Sequence, residues 1–262
     1  MTTRTATSFV DKLSGRIQET RSHLCVGVDP RPDRIDEPVS DFLKRVVEET
    51  APYAAAFKPN SAFFEAMGSD GWKLLEQWIP GIPEDIPVIL DVKRSDIAET
   101  QAAYARAYFE HLDVDAVTLN PLLGRDSIEP FVRYPGKGVY LLGITSNPGA
   151  QDILLRSLDG RPFIDTIQDI CLWARGYPAN TGLVIGLPQG SEQLFESIID
   201  VPLLIPGLGA QGGDLSRLRM SGRKAPWLVN VSRAILYPEN GRSMAEQAKQ
   251  YAQDIRRAGE LE

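Results

Sequence analysis

Residues 90–100 read LDVKRSDIAET, which places Asp91, Lys93 and Asp96 in a short run directly after the apolar PVI. On an extended strand alternate residues share a face, so Asp91 and Lys93 point the same way, with Cα atoms about 6.5 Å apart. A lysine flanked by carboxylates has its charged form favoured. An ammonium held in that way can stabilise developing negative charge and then give up a proton. Lys58, in YAAAFKPN, leaves a neighbouring strand and can complete an alternating network in which each charge faces its opposite. Charges at the tip of a core strand are costly unless they pair or perform chemistry. The residues alone allow either a salt bridge that holds a rim or an active site. Asp96 has a further possibility, capping a helix, with Glu99 three residues on.

A second constellation is IPGLGAQGGD, where Gly207, Gly209 and Gly212 have GxGxxG spacing. As a dinucleotide fingerprint its context is wrong. It follows the seventh strand candidate, and Ser232 and Arg233 stand where an acidic residue belongs. As a backbone cradle for one phosphate it fits, with Gln211 and Arg233 as side-chain donors.

The elements that must carry these groups are short apolar runs alternating with amphipathic stretches. The strand candidates are LCVGVD (24–29), YAAAFKPN (53–60), PVILDVKR (87–94), DAVTLNP (115–121), GVYLLGITS (138–146), GLVIGL (182–187), PLLIPGLG (202–209) and WLVNVSR (227–233). Most are uninterrupted apolar runs, as expected of strands buried on both faces of a parallel sheet. A helix is expected over 97–112, with Ile97, Tyr104, Tyr108 and Leu112 on one face, and others over about 242–258 and about 7–21. Eight β–α units in one chain predict an α/β fold, a (β/α)8 TIM barrel with an extra N-terminal helix, as a single domain over residues 1–262. In such barrels catalytic groups sit at the C-terminal strand ends. The exits here carry Asp29, Lys58 with Asn60, Asp91 with Lys93 and Asp96, Asn120, Ser146, the glycine-rich loop and Arg233.

Composition narrows the function. A formal charge of −7 argues against non-specific nucleic-acid binding but leaves room for an anionic small molecule. No apolar run approaches the roughly 20 residues of a membrane span, and the N-terminus has no signal-peptide core, so the expected compartment is the cytoplasm. Cys25 and Cys171 lack CxxC spacing and read as reduced, buried thiols. His23 and His111 are expected at the surface or at helix ends, and no metal-type Cys/His cluster occurs.

Four segments then carry a resemblance. DVKRSDIAET resembles the DxKxxDIxxT signature of orotidine 5′-phosphate decarboxylases, and FKPNSAFFEAMG the segment around that family's second-strand lysine in one bacterial subgroup. PGLGAQGGD is similar to the family's phosphate loop and NVSRAILY to its last-strand arginine segment. The resemblance runs from about residue 24 to 237. It implies cofactor-free and metal-free removal of the C6 carboxylate of orotidine 5′-monophosphate (OMP) as CO2, giving UMP at the end of pyrimidine nucleotide biosynthesis. It further implies that Lys93 is the proton donor to C6, that Asp91 sits near the leaving carboxylate, and that Lys58 completes the network and reaches the ribose. Asp29 would hold ribose hydroxyls, Ser146 the pyrimidine edge, and Gln211 and Arg233 the phosphate. Asp96 would act from the partner subunit of a homodimer, with Ile97 and Thr100 lining that neighbour's site. Segments 146–155, 188–192 and 211–214 are the expected lids.

Two other functions compete. A related barrel acting on a phosphorylated sugar through an enediolate would recruit Mg2+ through Asp91 and Asp96. A non-catalytic nucleotide sensor would bind without turnover. The FKPN lysine and Thr100, four residues after Asp96, favour the pyrimidine substrate.

Overall fold

In the computed structural model the described residues are 7–186, 197–206, 215, 218, 220, 222–239 and 241–260. Eight parallel strands form the main sheet: β1 (Leu24–Val28), β2 (Ala56–Pro59), β3 (Ile89–Arg94), β4 (Ala116–Leu119), β5 (Gly138–Ile144), β8 (Asn180–Ile185), β9 (Leu203–Ile205) and β10 (Trp227–Val231). Each lies within or against its expected run. The hydrogen-bonded order is β2-β1-β10-β9-β8-β5-β4-β3. The isolated parallel bridges Phe57↔Val88 and Asn60↔Asp91 bring β3 back against β2. The result is a (β/α)8 barrel.

Helices α1 (Phe9–Thr20), α2 (Val39–Thr50), α3 (Ser61–Glu65), α4 (Gly68–Trp78), α5 (Ala98–Arg106), α6 (Arg125–Val132) and α7 (Phe163–Ala174) precede or follow the strands, with a last long helix over Met244–Glu260. Two features depart from the sequence reading. The expected helix over 97–112 is α5 followed by a π turn, Ala107–His111. Tyr108 and Leu112 are buried, but Ile97 is 57% exposed. It precedes the helix in extended backbone, and Ala98 after it has φ +47°. The other departure is an added hairpin, β6 (Ser157–Leu158) and β7 (Arg161–Pro162). Its two-residue turn is Asp159–Gly160, both left-handed at φ +50° and +78°. An Asp-Gly turn of this kind matches the strand twist.

Alternation along the strands sorts the barrel interior into layers. Cys25, Ala56, Ile89, Ala116, Tyr140, Val184, Leu204 and Leu228 form an apolar layer together with Phe9 and Leu13 of α1. The extra helix therefore plugs the N-terminal mouth. The Phe9 ring stands edge-on to Tyr140 at 5.8 Å between centroids, and its amide donates to the Gly136 carbonyl at 2.8 Å. A Cβ on Gly138 would lie 2.4 Å from the Phe9 ring, so the plug needs glycine there. Two positions further along β2, β3, β4 and β10 the inner residues are Lys58, Asp91, Thr118 and Asn230, all buried. The strands thus pass from an apolar floor to a polar layer toward their C-terminal ends.

The two thiols are free and buried, and burial pushes both up to about 12. His111 ends the π turn and meets Glu76 at 3.0 Å. His23 is half-buried between the end of α1 and the start of β1. Its ring stacks on Trp227 at 3.6 Å and Nδ1 lies 2.9 Å from the Trp227 carbonyl, while burial lowers its pKa.

Because Phe9 is 2% exposed and fills the barrel mouth, Phe9→Ala should cost about 3–5 kcal/mol in urea unfolding. A cost under about 1 kcal/mol would mean that α1 covers the barrel without filling it.

Candidate active site

Asp91 is the centre of the polar layer. Its Oδ2 receives Lys58 Nζ at 2.6 Å, and its Oδ1 receives Lys93 Nζ at 2.5 Å. Thr118 Oγ1 also donates to Oδ1, at 2.9 Å. The lysines differ in setting: the Lys58 side chain is 5% exposed and that of Lys93 48%. Lys58 is the interior cation and Lys93 the one at the mouth. Burial by itself would raise the Asp91 carboxyl, but the ammonium groups of Lys58 and Lys93 outweigh it and hold Asp91 well below the usual carboxylate range. Burial likewise lowers Lys58, but Asp91 and then Asp29 reverse the sign and leave it above its ordinary value. Asp29, Lys58, Asp91 and Lys93 therefore alternate in charge.

The backbone that presents Lys93 is irregular. The β3–β4 register shifts between Leu90 and Arg94. In that gap the amides of Val92 and Lys93 both donate to Thr118 Oγ1, each at 3.0 Å. Lys93 itself has φ +45°, a left-handed conformation that costs a non-glycine residue about 1–3 kcal/mol. Thr118 thus fixes both the Asp91 carboxylate and the bulge that turns Lys93. Sequence reasoning passed over it, although a hydroxyl at an inner position of the apolar run DAVTLNP was a usable signal.

Asp29 follows β1, and its Oδ1 is buried without a hydrogen-bond partner among the described residues. Its carbonyl accepts from the Tyr237 hydroxyl at 3.2 Å, and the Tyr237 hydroxyl oxygen in turn accepts from the Arg31 amide at 2.6 Å. Tyr237, also missed from sequence, ties the β1 exit to the helix Arg233–Leu236 that follows β10. Arg233 opens that helix and is exposed. Ser146, half-buried, follows β5 against β8; a Cβ on Gly186 would lie 2.8 Å from its amide nitrogen. Beside it a cavity of about 210 Å3 is lined by Asn120, Leu122, Thr145, Asn147, Ile153 and Phe163 among others.

Three asparagines serve local structure. Asn60 accepts from the Ala62 amide at 3.2 Å, Asn120 from the Leu122 amide at 3.1 Å, and Asn147 from the Thr145 hydroxyl at 2.7 Å. Asp96 is half-buried and accepts from the next amide, Ile97, at 2.8 Å, which is not the bond of a helix cap. Ile97 and Thr100 are exposed. No hydrogen bond or ion pair among the described residues joins these three to the Lys58–Asp91–Lys93 array. Gln211 and the segments 188–192 and 211–214 lie outside the described residues.

The array favours charge stabilisation over metal binding. Both Asp91 oxygens face ammonium groups, which makes the carboxylate a poor cation ligand. Among the described residues no group of three or more His, Cys, Asp and Glu is placed to hold a metal. No helix among them is long and apolar enough to cross a membrane.

Comparison with known proteins gives concordant matches. The family model described as "Orotidine 5'-phosphate decarboxylase / HUMPS family" matches residues 22–248. An orotidine 5′-phosphate decarboxylase of Herpetosiphon aurantiacus is 40% identical over 94% of this chain and 95% of its own. Among solved structures, the OMP decarboxylase of Leishmania donovani aligns over 97% of this chain and 100% of its own, with TM-score 0.84 and 35% identity. The UMP synthase of the same organism aligns over 95% of this chain, with TM-score 0.85 and 37% identity, and the chain spans only 57% of that longer protein.

The depressed Asp91 carboxyl has a consequence for stability. Its contribution is complete above about pH 4, since the ordinary value is 3.8, and is lost as pH falls toward its folded value. Between pH 4 and pH 2.5 the wild type should therefore lose stability more steeply than Asp91→Asn, by up to about 1.4 kcal/mol per pH unit. Equal slopes in denaturant titrations would remove this ion pair from the folding energetics.

Proposed function

Since the chain belongs to the orotidine 5′-phosphate decarboxylase / HUMPS family, we infer that it is a carboxy-lyase converting OMP to UMP and CO2 in pyrimidine nucleotide synthesis, and we propose that Lys93 carries the chemistry. The observation behind the proposal is the Lys58–Asp91–Lys93 array, in which a mouth-facing ammonium is held by a buried carboxylate. Losing CO2 from C6 leaves an electron pair in the ring plane, where the π system cannot delocalise it. Stabilisation is then electrostatic, from a cation fixed beside the developing charge. Lys93 provides that cation and afterwards donates its proton to the C6 carbanion, forming the C6–H bond of UMP. Asp91 holds Lys93 and faces the departing carboxylate, and Lys58 neutralises Asp91 from below.

Binding of the remote groups serves the same step, because energy gained there can orient the ring and expel water. Asp29, whose buried Oδ1 has no hydrogen-bond partner among the described residues, is proposed to take ribose hydroxyls together with Lys58. Ser146 takes the pyrimidine edge, and Gln211 and Arg233 take the phosphate. Segments 146–155, 188–192 and 211–214 act as lids. The whole chain works as one domain in the cytoplasm, as a homodimer in which Asp96, Ile97 and Thr100 complete the neighbour's site. An uncovered Ile97 at 57% exposure, with Leu122, Leu123 and Ile153 also exposed near strand exits, supports cover by a second copy.

EDTA-treated protein incubated with OMP should release UMP and CO2 in equal amounts. Unchanged OMP with retained UMP binding would overturn the lyase reading in favour of a sensor, and turnover only with added Mg2+ would favour the sugar-phosphate type of chemistry. Lys93→Ala should abolish turnover while keeping UMP affinity within about tenfold. Turnover above a few per cent would take Lys93 out of the chemistry. Mixing inactive Lys93→Ala with inactive Asp96→Ala should restore one wild-type site per heterodimer. No recovery, with subunit exchange verified, would put Asp96 in its own subunit's site.

A further inference from the structure

Arg94 follows Lys93 directly and takes no part in the steps above, yet its side chain is tightly engaged. Nη2 meets Glu65 Oε1 at 2.9 Å, and Nε donates to the Tyr108 hydroxyl at 2.6 Å. The guanidinium lies 4.7 Å from the Tyr104 ring centroid and 5.9 Å from that of Tyr108. Its own carbonyl accepts from the Asn120 amide at 2.9 Å. Glu65 ends α3, the helix that starts directly after Lys58, Pro59 and Asn60. Tyr108 is 1% exposed, in the π turn behind β3.

These contacts cross the place where the barrel closes. Neighbouring strands elsewhere pair as ladders, whereas β2 and β3 meet through the isolated bridges Phe57↔Val88 and Asn60↔Asp91. Lys58 stands on one side of that seam and Lys93 on the other, with Asp91 bonded to both. Lys93 is also the left-handed residue of the bulge. Such a conformation persists only where its surroundings over-determine it. Thr118 holds the bulge on its N-terminal side through the amides of Val92 and Lys93. On the C-terminal side the next fixed point is Arg94.

We propose that Arg94 is a positioning residue. By stapling β3 to α3 across the seam, and to Tyr108 behind it, it holds Lys93 in the backbone conformation that aims its ammonium at Asp91 and at the reacting carbon. The proposal rests on the decarboxylase reading given above. A half-exposed Arg–Glu pair alone contributes little. Here the aromatic rings and the Tyr108 hydroxyl fix the planar guanidinium, so that it sets an angle rather than only supplying charge.

The test compares wild type with Arg94→Met, Glu65→Gln and Tyr108→Phe in kcat, in KM for OMP and in Kd for UMP. Arg94→Met should lower kcat by about tenfold to a hundredfold, the scale of a misplaced reacting group, with KM and the UMP Kd within about threefold. Glu65→Gln and Tyr108→Phe should each lower kcat by a smaller factor, and Glu65→Gln should add nothing once Arg94 is Met. A kcat within about twofold of wild type, with only the melting temperature lowered, would make Arg94 a plain structural staple and overturn the proposal. A raised KM at constant kcat would overturn it too, as a substrate contact. If Arg94→Met does not fold, Glu65→Gln and Tyr108→Phe decide on the same readouts. A crystal structure of Arg94→Met adds a readout free of turnover, and an unchanged Lys93 φ with its ammonium still on Asp91 would refute positioning. Wild-type protein that leaves OMP intact would break the functional reading instead, and the variant structure alone would then decide whether Arg94 holds Lys93.

Discussion

Asp91 is buried at the end of β3 with an ammonium on each oxygen, and the surrounding architecture can be read as what that arrangement needs. A carboxylate taken out of water is costly unless it is paired and fully hydrogen-bonded. The partners come from different strands: Lys58 from β2 and Thr118 from β4, with Lys93 from β3 itself. In this strand order β3 pairs with β4, and closure of the barrel brings β3 beside β2. Below them lies the apolar layer, plugged by Phe9 and Leu13 of α1. The depressed Asp91 carboxyl and the raised Lys58 ammonium are the electrostatic signature of that closure.

The array is stable and yet deliberately incomplete. Lys58 is enclosed and bonded to Asp91, so it can act as a fixed counter-charge. Lys93 is half-exposed and bonded to one carboxylate oxygen, which leaves donor capacity pointing toward whatever enters the mouth. Delivering that geometry requires breaking strand regularity, with a register shift, a left-handed lysine and two amides diverted to a threonine hydroxyl. Local strain at such a position is tolerated because packing around it is dense. The aromatic group Tyr104, Tyr108 and Phe131 behind β3 provides that packing, with Tyr104 and Tyr108 ring centroids 6.0 Å apart and Tyr108 and Phe131 at 6.4 Å.

The exits around the array divide between structure and recognition. Asn60 and Asn120 spend their side chains on the turns that follow β2 and β4. Tyr237 joins the β1 and β10 exits, setting Asp29 against the helix that carries Arg233. Asp29 keeps a buried Oδ1 without a hydrogen-bond partner among the described residues, which suits the ribose contact proposed for it. The pairing of rigid caps with unsatisfied acceptors is what an enzyme needs to orient a substrate without reorganising itself at each turnover.

The sequence by itself determined the repeat. Eight apolar runs at β–α spacing predict the barrel, and the observed strands fall on them, because burial of a parallel strand on both faces writes itself directly into composition. It also determined the charge order, since Asp91 and Lys93 sit two residues apart and Lys58 stands near the end of the preceding strand. It was weaker wherever conformation depends on a distant contact. The Asp159–Gly160 turn was legible as a dipeptide, but its strands are two residues long and too short to show alternation. Ile97 was placed on one helix face with Tyr104, Tyr108 and Leu112 because its spacing fits a helix that begins only after it. Thr118 lies in no motif, and Arg94 and Tyr237 sit inside DVKRSDIAET and NVSRAILY without being singled out there. Their roles come from what lies across the barrel from them: an ion pair for Thr118, the β1 exit for Tyr237, and a glutamate on another helix for Arg94. Periodicity records which face of an element is buried. It does not record which partners closure of the barrel brings to that face, and the geometry of the charged array was decided there.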